Sequence, residues 1–297
     1  MTAAVTATGL GKRYRRRWAL SGCTFSIPAG RVAGLVGPNG AGKTTLLHLA
    51  VGLLQPSAGT IEVLGGIPGS GPAQLARVGF MAQDSPTYPT WSVADHLRFG
   101  AAANKRWDAR FAADRVARLG LDPAQRARKL SGGQQAQLAL TLALAKRPEL
   151  LLLDEPVARL DPLARREFLQ ELAAAAAAQG LSVMLSSHLV ADLEHVCDYL
   201  VVLASGRVQL DGPVADLLAS HYLIASQRPD PAALPAGSQL IHETGEGQQA
   251  TQLVRVPGPV PEGGWSASPA SLEDLVLAYM ARAAGRGPAQ EVTRCSG

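Results

Sequence analysis

A glycine-rich segment near the start of the chain has the residue types and spacing of a phosphate cradle. It reads Gly-Pro-Asn-Gly-Ala-Gly-Lys-Thr and lies between a predicted strand and a predicted helix. Its backbone N–H groups can curl around phosphate oxygens, the helix N-terminus adds a partial positive charge, and Lys43 adds a full one. Thr44 supplies a hydroxyl suited to Mg²⁺. We define the predicted phosphate cradle as Gly37, Pro38, Asn39, Gly40, Ala41, Gly42, Lys43, Thr44 and Thr45.

Two adjacent carboxylates follow a run of four leucines, Leu150–Leu153. Such a run predicts a central strand buried on both faces, and ligands of open α/β sheets bind at the carboxyl ends of the strands. We therefore expect Asp154 to hold a metal ion and Glu155 to polarise an attacking water. Acidic pairs at strand ends are also common helix caps, but the nearby phosphate cradle favours the catalytic interpretation.

A second candidate anion site opens another predicted helix. We call it the serine–glycine turn, and it consists of Ser131, Gly132, Gly133 and Gln134. One nucleotide needs one phosphate cradle, so a second predicts that the turn acts on the γ-phosphate held by another copy of the chain. The active unit would then be a dimer with the nucleotides between its subunits. A plain helix cap is the alternative interpretation.

With these three motifs, residues 3 to 222 resemble the ATP-binding subunit of ABC transporters. The resemblance implies an ATP hydrolase that uses Mg²⁺ and forms a head-to-tail homodimer. It also implies docking on a separate transmembrane permease, at the cytoplasmic face of the membrane, with no nucleic acid as partner.

The resemblance assigns roles to four further residues. Tyr14 would stack on adenine, with Trp18 as the other candidate. Gln83 would contact the metal and the water, and its segment would connect the site to the permease. His188 would contact the γ-phosphate and position Glu155, while Asp161 would lie in the loop that crosses the dimer interface.

Two departures from the resemblance bear on activity. The family usually has small residues such as Thr-Ser-Gly where this chain has Val157, Ala158 and Arg159. It also commonly has arginines after Gln134, whereas the predicted helix here is almost uncharged, so salt bridges expected there are missing. Because Lys43 and Glu155 are present, we expect hydrolysis. A regulator that binds ATP without hydrolysing it is an alternative, and so is an ABC ATPase of translation or DNA repair.

The order of elements predicts an α/β fold. Short apolar runs alternate with helical stretches, which indicates a largely parallel sheet. The resemblance refines this to a RecA-like P-loop NTPase core with an antiparallel β subdomain and a helical subdomain over about residues 88–147. Predicted strands cover 31–36, 60–64, 79–83, 150–153, 181–186, 199–203 and 208–210. Predicted helices cover 43–54, 93–103, 110–119, 134–146 and 163–179.

Residues 223–297 are predicted to form a small α+β appendage. Pro229, Pro231 and Pro235 indicate a linker, 240–256 a hairpin, and Ser271 a helix N-terminus with a run to about residue 283. The segment 271–280 resembles the closing helix of ATPases that serve drug- and antibiotic-export systems of the daunorubicin-resistance type. This similarity favours export.

Composition and charge bear on four further questions: disulfide bonds, zinc sites, membrane spans and charged partners. Three cysteines in no metal-binding spacing argue against a disulfide framework or a zinc site and suit a reducing cytosol. The longest stretch without a formal charge is interrupted by polar residues, so no membrane span is expected. The net charge of +4 is compatible with an anionic partner but is too small to indicate which one. The basic run 12–17 is interpreted as a solvated surface loop rather than a nucleic-acid or lipid site.

Overall fold

The computed structural model describes residues 2–83, 87–226, 237–245, 250–258 and 266–285. The strands of these residues are β1 (Ala3–Tyr14), β2 (Arg17–Pro28), β3 (Val32–Val36), β4 (Ala58–Val63), β5 (Val78–Met81), β6 (Leu150–Leu153), β7 (Ser182–Ser187), β8 (Tyr199–Ala204), β9 (Arg207–Pro213), β10 (His221–Ser226), β11 (Gln239–Thr244), β12 (Ala250–Arg255) and β13 (Ser266–Pro269). The α-helices are α1 (Lys43–Val51), α2 (Pro72–Arg77), α3 (Val93–Ala103), α4 (Ala109–Arg118), α5 (Gly132–Ala145), α6 (Pro162–Gln179), α7 (Ala191–Glu194), α8 (Val214–Ala219) and α9 (Leu272–Ala283). Within the described ranges, no helix has the length and apolar character that a membrane crossing needs.

A six-stranded sheet forms the centre of the molecule, in the order β5-β6-β7-β3-β8-β9. Its first five strands run parallel and β9 pairs antiparallel with β8. All four leucines of β6 are buried, as the sequence predicts for a strand covered on both faces. Because parallel strands end at one edge of the sheet, β3, β6 and β7 bring the segments that follow them close together.

An antiparallel sheet of three strands, in the order β2-β1-β4, covers one side of the core. The basic run lies here, and its interpretation as a loop is wrong. Lys12 and Arg13 lie near the end of β1, Arg17 begins β2, and Arg15 and Arg16 form the turn between them. Arg15 takes the left-handed conformation (φ 53°) that a tight hairpin turn requires.

The predicted helices are present with small differences at their ends. α3 has the predicted bounds, and α1 begins at the predicted Lys43. α1 ends at Val51, however, and not at residue 54, because Gly52 adopts the left-handed conformation (φ 86°) that ends helices. The predicted strand 79–83 likewise ends early, at Met81.

The C-terminal part forms an antiparallel sheet, in the order β11-β12-β10-β13, with α9 packed on it. The predicted hairpin over 240–256 and the predicted helix from Ser271 are both confirmed. α9 also packs against β8 and β9, so its Leu275 and Tyr279 share one apolar core with the central sheet. The predicted boundary at residue 222 falls inside β10. The three linker prolines and residues 286–297 lie outside the described residues.

Candidate functional site

The phosphate cradle follows β3 and leads into α1, as its sequence predicts. Close packing dictates glycine at its first position, since a Cβ on Gly37 would lie 2.1 Å from the carbonyl oxygen of Leu203. Gly42 precedes the helix with φ 107°, a conformation that side chains disfavour. The cradle opens into a cavity of about 400 Å³, which is lined by Ala19, Asn39, Gly40, Ala41, Gly42, Lys43, Thr44, Thr45, Gln83, Glu155 and His188.

Lys43 is buried in this cavity, with 5% of its side chain exposed. Its Nζ donates to the carbonyl oxygen of Gly37 at 2.7 Å and lies 3.2 Å from Oε1 of Glu155. A buried ammonium needs such partners, because an unpaired charge in a low-dielectric site is strongly unfavourable. The lysine is therefore held at the base of the cradle by the carboxylate that the sequence predicts as the catalytic base.

Glu155 also contacts His188, whose Nδ1 lies 3.1 Å from Oε2. The backbone of Glu155 is in the left-handed region, with φ 44°. Such strain in a residue other than glycine is typical of functional sites, where the surroundings hold it. Here the amide of Glu155 donates to Oγ of Ser186 at 2.8 Å, which helps to fix the conformation.

Ser186 is a member of the site that the sequence interpretation missed. Its Oγ accepts from Glu155 and donates to Oδ1 of Asp154 at 2.8 Å, so one hydroxyl joins both acidic residues. The available signal was its position directly before Ser187 and His188, at the end of a strand that the parallel topology places beside β6. Leu153 pairs with Leu185, which puts the residues after them next to each other.

The three predicted metal ligands lie at different depths. Thr44 and Gln83 are exposed and line the cavity. Asp154 is only 1% exposed and lies beneath it, joined to the site through Ser186. Within the described residues, the side-chain hydrogen bond to this carboxylate is the one that Oδ1 accepts from Ser186. A carboxylate, a hydroxyl and an amide oxygen are the hard donors that Mg²⁺ prefers.

The serine–glycine turn lies outside this cavity. Ser131 and Gly132 are exposed at the start of α5. The Ser131 hydroxyl accepts from the amide of Gln134 at 3.2 Å, and the Gln134 side chain accepts from the amide of Ser131 at 3.0 Å. This capping box leaves the turn on the surface. It lies against the first turn of α6, where a Cβ on Gly133 would be 3.0 Å from Cβ of Ala164.

Two other predicted site residues are also outside the cavity. The ring of Tyr14 is 46% exposed and has Nζ of Lys12 at 5.7 Å from its centroid, but among the described residues it does not line the cavity. Asp161 caps α6, since its Oδ1 accepts from the amides of Leu163 and Ala164 at 3.0 Å. The structure thus brings together Lys43, Gln83, Glu155 and His188, and it places Tyr14, Ser131 and Asp161 elsewhere on the surface.

The first departure from the resemblance has a structural explanation. Val157 is 2% exposed and packs in the main apolar core with Leu160 and Phe168. The hydroxyl expected at this position is thus replaced by a side chain that contributes to the core.

Comparison with known proteins consistently finds ATP-binding proteins of ABC transporters. The family described as ABC transporter matches residues 20–158. The chain is similar to an Fe(3+) ions import ATP-binding protein of Rhodococcus jostii, with 36% identity over 74% of this chain and 65% of that protein, so it spans slightly less than two thirds of that relative. It is similar to a Nod factor export ATP-binding protein I of Burkholderia orbicola, with 34% identity over 75% of this chain and 76% of that protein. The structure of cbiO1 from Clostridium perfringens, part of the ABC transporter complex cbiONQ, matches with a TM-score of 0.65 and 27% identity over 74% of this chain and 92% of that one.

Proposed function

Because the chain belongs to the ATP-binding proteins of ABC transporters, we propose that it binds and hydrolyses ATP to drive a separate membrane-spanning subunit. The observation that carries this proposal is the convergence of Lys43, Glu155 and His188 in one cavity at the mouth of the phosphate cradle. Backbone amides and a buried ammonium bind the triphosphate, and a carboxylate lies beside them to activate water.

The ion pair of Lys43 with Glu155 suggests how ATP binding prepares the site. Phosphate oxygens compete for the ammonium of Lys43, since they carry more charge than one carboxylate. Glu155 then becomes available to accept a proton from the attacking water, while His188 continues to hold its other oxygen. The strained backbone of Glu155 and its hydrogen bond to Ser186 keep the carboxylate in place during this exchange.

Mg²⁺ is part of the proposal because the donor set fits it. Thr44, Gln83 and Asp154 would hold the ion, which supplies charge neutralisation at the β- and γ-phosphates. The chain's own contribution is to orient these ligands. In particular, the hydroxyl of Ser186 donates to Oδ1 of Asp154 and so helps to fix this carboxylate.

We also propose that two chains close head to tail around two ATP molecules. The support is that Ser131 and Gly132 are exposed and are not among the described residues that line the cavity of their own chain. The first amides of a helix have no intrahelical acceptor and can bind an anion presented by another chain. Tyr14 would stack on the adenine, and Asp161 would lie at the interface.

Mixing two inactive variants tests whether the site is shared between chains. Lys43→Ala breaks the phosphate cradle, and Gly132→Asp places a negative charge on the serine–glycine turn. In a head-to-tail dimer of the two variants, one site has an intact cradle and an intact turn, so ATP hydrolysis should return on mixing. Mixing Lys43→Ala with Glu155→Gln is the control, since both residues belong to the cradle cavity and each site of the mixed dimer then carries one of the two changes. A mixture of the first pair that hydrolyses no more ATP than its components would contradict the proposal.

The membrane partner is proposed to dock on an aromatic patch of the helical subdomain. The patch consists of Tyr88, Trp91, His96 and Phe99, with ring centroids of Tyr88 and Trp91 4.3 Å apart. Half of the Tyr88 and Phe99 surfaces is exposed, an apolar area that a partner would cover. His96 fixes the patch, because its Nε2 accepts from the amide of Tyr88 at 2.9 Å. The double substitution Tyr88→Ser/Phe99→Ser should weaken binding to the permease without changing the ATPase activity of the isolated chain.

Export is the direction that we propose. The motif 271–280 that resembles export ATPases forms the helix α9, and the chain covers a larger share of the Nod factor export relative than of the iron import relative. The chain would then work at the cytoplasmic face of a membrane. ATP-dependent efflux from cells that carry the chain with its permease, lost on Glu155→Gln, tests the direction. Uptake in place of efflux would contradict it.

A further inference from the structure

A buried arginine joins three helices behind the serine–glycine turn. Arg115 of α4 is 2% exposed and is one of the largest fully buried side chains in the described residues. Its guanidinium donates to Oγ1 of Thr141 at 3.1 Å, to Oε1 of Gln137 at 2.8 Å and to Oε2 of Glu171 at 2.6 Å. Gln137 and Thr141 lie on α5, and Glu171 lies on α6. The three partners use three different nitrogens of the planar group, an arrangement that lysine could not reproduce.

The two helices held by Arg115 both carry predicted interface segments. α5 begins at the serine–glycine turn, and Gln137 follows Gly132 by about one and a half helical turns. Asp161 caps the start of α6, and Glu171 lies on that helix. Oγ1 of Thr141 donates to the carbonyl oxygen of Gln137, so it is oriented to accept from Arg115. The cluster therefore fixes the turn and the Asp161 segment relative to each other.

The sequence of α5 explains why the charge must come from another helix. Between Gln134 and Lys146 there is no charged residue, and the arginines that the family resemblance leads one to expect are absent. The structure supplies a guanidinium at this place from α4. Arg118 also approaches Glu171, with its Nη2 3.9 Å from the same Oε2, but its side chain is 61% exposed.

We propose that Arg115 is a positioning residue for the second half of the nucleotide site. It holds the serine–glycine turn in register with the start of α6, so that both meet the partner's ATP together. This inference rests on the proposed function, in which the turn acts on the nucleotide of another chain. Arg115 contacts no nucleotide itself, and its effect is on closure of the dimer and not on the phosphate cradle.

Separate measurements of binding and closure test the proposal. Arg115→Gln should leave the affinity of the single chain for Mg·ATP within about twofold, because neither Arg115 nor any of its three partners lines the cradle cavity. It should reduce ATP-dependent dimer formation and ATP turnover by roughly 10-fold or more, because a misplaced contributing group lowers the rate steeply. Arg118→Gln is the matched control, since it removes a guanidinium near the same carboxylate from an exposed position and should change turnover less than twofold.

Relocation of the charge distinguishes positioning from general stability. In the double variant Arg115→Gln/Gln137→Arg, the guanidinium lies on α5 and can reach Glu171, so dimer formation and most of the turnover should return. If Arg115→Gln does not fold, Glu171→Gln, at a position 33% exposed, removes the charge partner more mildly and should give the same loss of closure. Unchanged dimer formation in the folded variants, or no recovery in the double variant, would overturn the proposal. Absence of any ATP-dependent dimer in the unmodified chain would instead overturn the proposed function on which it rests.

Discussion

The phosphate cradle and the serine–glycine turn share a local design but differ in what surrounds them. Both place glycines at the N-terminus of a helix, where backbone amides can bind an anion. The cradle is lined by buried Lys43, by Glu155 and by His188, all from its own chain. The turn has an exposed serine and an exposed glycine, and no cation is among the described residues that line its small pocket of about 170 Å³.

This difference indicates which half of the chemistry each segment can perform. In the proposed function, the cradle has the charges that bind a triphosphate and the carboxylate that activates water, so a single chain should bind ATP. The turn offers hydrogen-bond donors but no cation, and the carboxylate of Glu167 also lines its pocket, so the turn can complete a site but not hold a nucleotide alone. Substitutions in the two segments should therefore separate binding from closure.

The largest effect on turnover is expected from Glu155→Gln. Loss of the carboxylate removes the group that accepts the proton of water and should lower hydrolysis by about 100- to 10,000-fold. Binding should persist and even strengthen, because Lys43 loses its competing ion pair within the chain. The dimer should then stay closed with ATP, as light scattering after size-exclusion chromatography would show. A variant that remains a single chain in Mg·ATP would argue against closure of the two segments on each other.

Lys43→Ala should affect the cradle in a different way. Removal of the ammonium deprives the phosphates of their main positive charge and should reduce turnover by about 100- to 1,000-fold. Unlike Glu155→Gln, this variant should also bind ATP weakly, and so it should not form the ATP-dependent dimer. Isothermal titration with a slowly hydrolysed ATP analogue measures the first effect. Unchanged affinity would show that the triphosphate binds somewhere else.

The two glycines of the turn should respond differently to alanine. A methyl group on Gly133 would meet Cβ of Ala164 at 3.0 Å, so Gly133→Ala should destabilise the single chain by about 1 kcal/mol through overpacking. A methyl group on Gly132 has open space and, at the start of α5, should change stability by less than about 1 kcal/mol. If the turn faces ATP of another chain, Gly132→Ala should nonetheless lower turnover. Thermal unfolding and phosphate release on both variants check the contrast, and full activity of Gly132→Ala would count against it.

The sequence predicted the cradle better than its surroundings, for a physical reason. The glycine pattern and the run of leucines are local signals, and the structure agrees with them at Lys43 and at Leu150–Leu153. The role of Ser186 depends on the register between β6 and β7, which are separated by α6 in the chain, and no local pattern reports it. The interpretation of the basic run as a loop was wrong because the strand ends that form the hairpin are charged and largely exposed, whereas the buried apolar residues of β1 and β2 lie farther along each strand.

Arg115 is a second residue whose role depends on tertiary packing and could not be predicted from the sequence. In the sequence it is one of several arginines on a helix, and nothing in its neighbours distinguishes it from exposed Arg118. Its burial follows from the way that α4 packs on α5 and α6, and its partner Glu171 is 56 residues away. The sequence shows that α5 lacks the expected charges, but it does not show that Arg115 of α4 supplies a guanidinium in their place.

The smallest expected effect concerns Ser131, and it decides between a helix cap and a site residue. Ser131 and Ser271 make the same capping box, each accepting from the third helical amide at 3.2 and 3.1 Å, and both are exposed. Ser131→Ala and Ser271→Ala should each lower the free energy of unfolding by about 1 kcal/mol, since each removes one cap. Only Ser131→Ala should also weaken ATP-dependent dimer formation, by a few fold, because its hydroxyl is a donor for the partner's phosphate. Equal behaviour of the two variants in phosphate release would mean that Ser131 is a cap and nothing more.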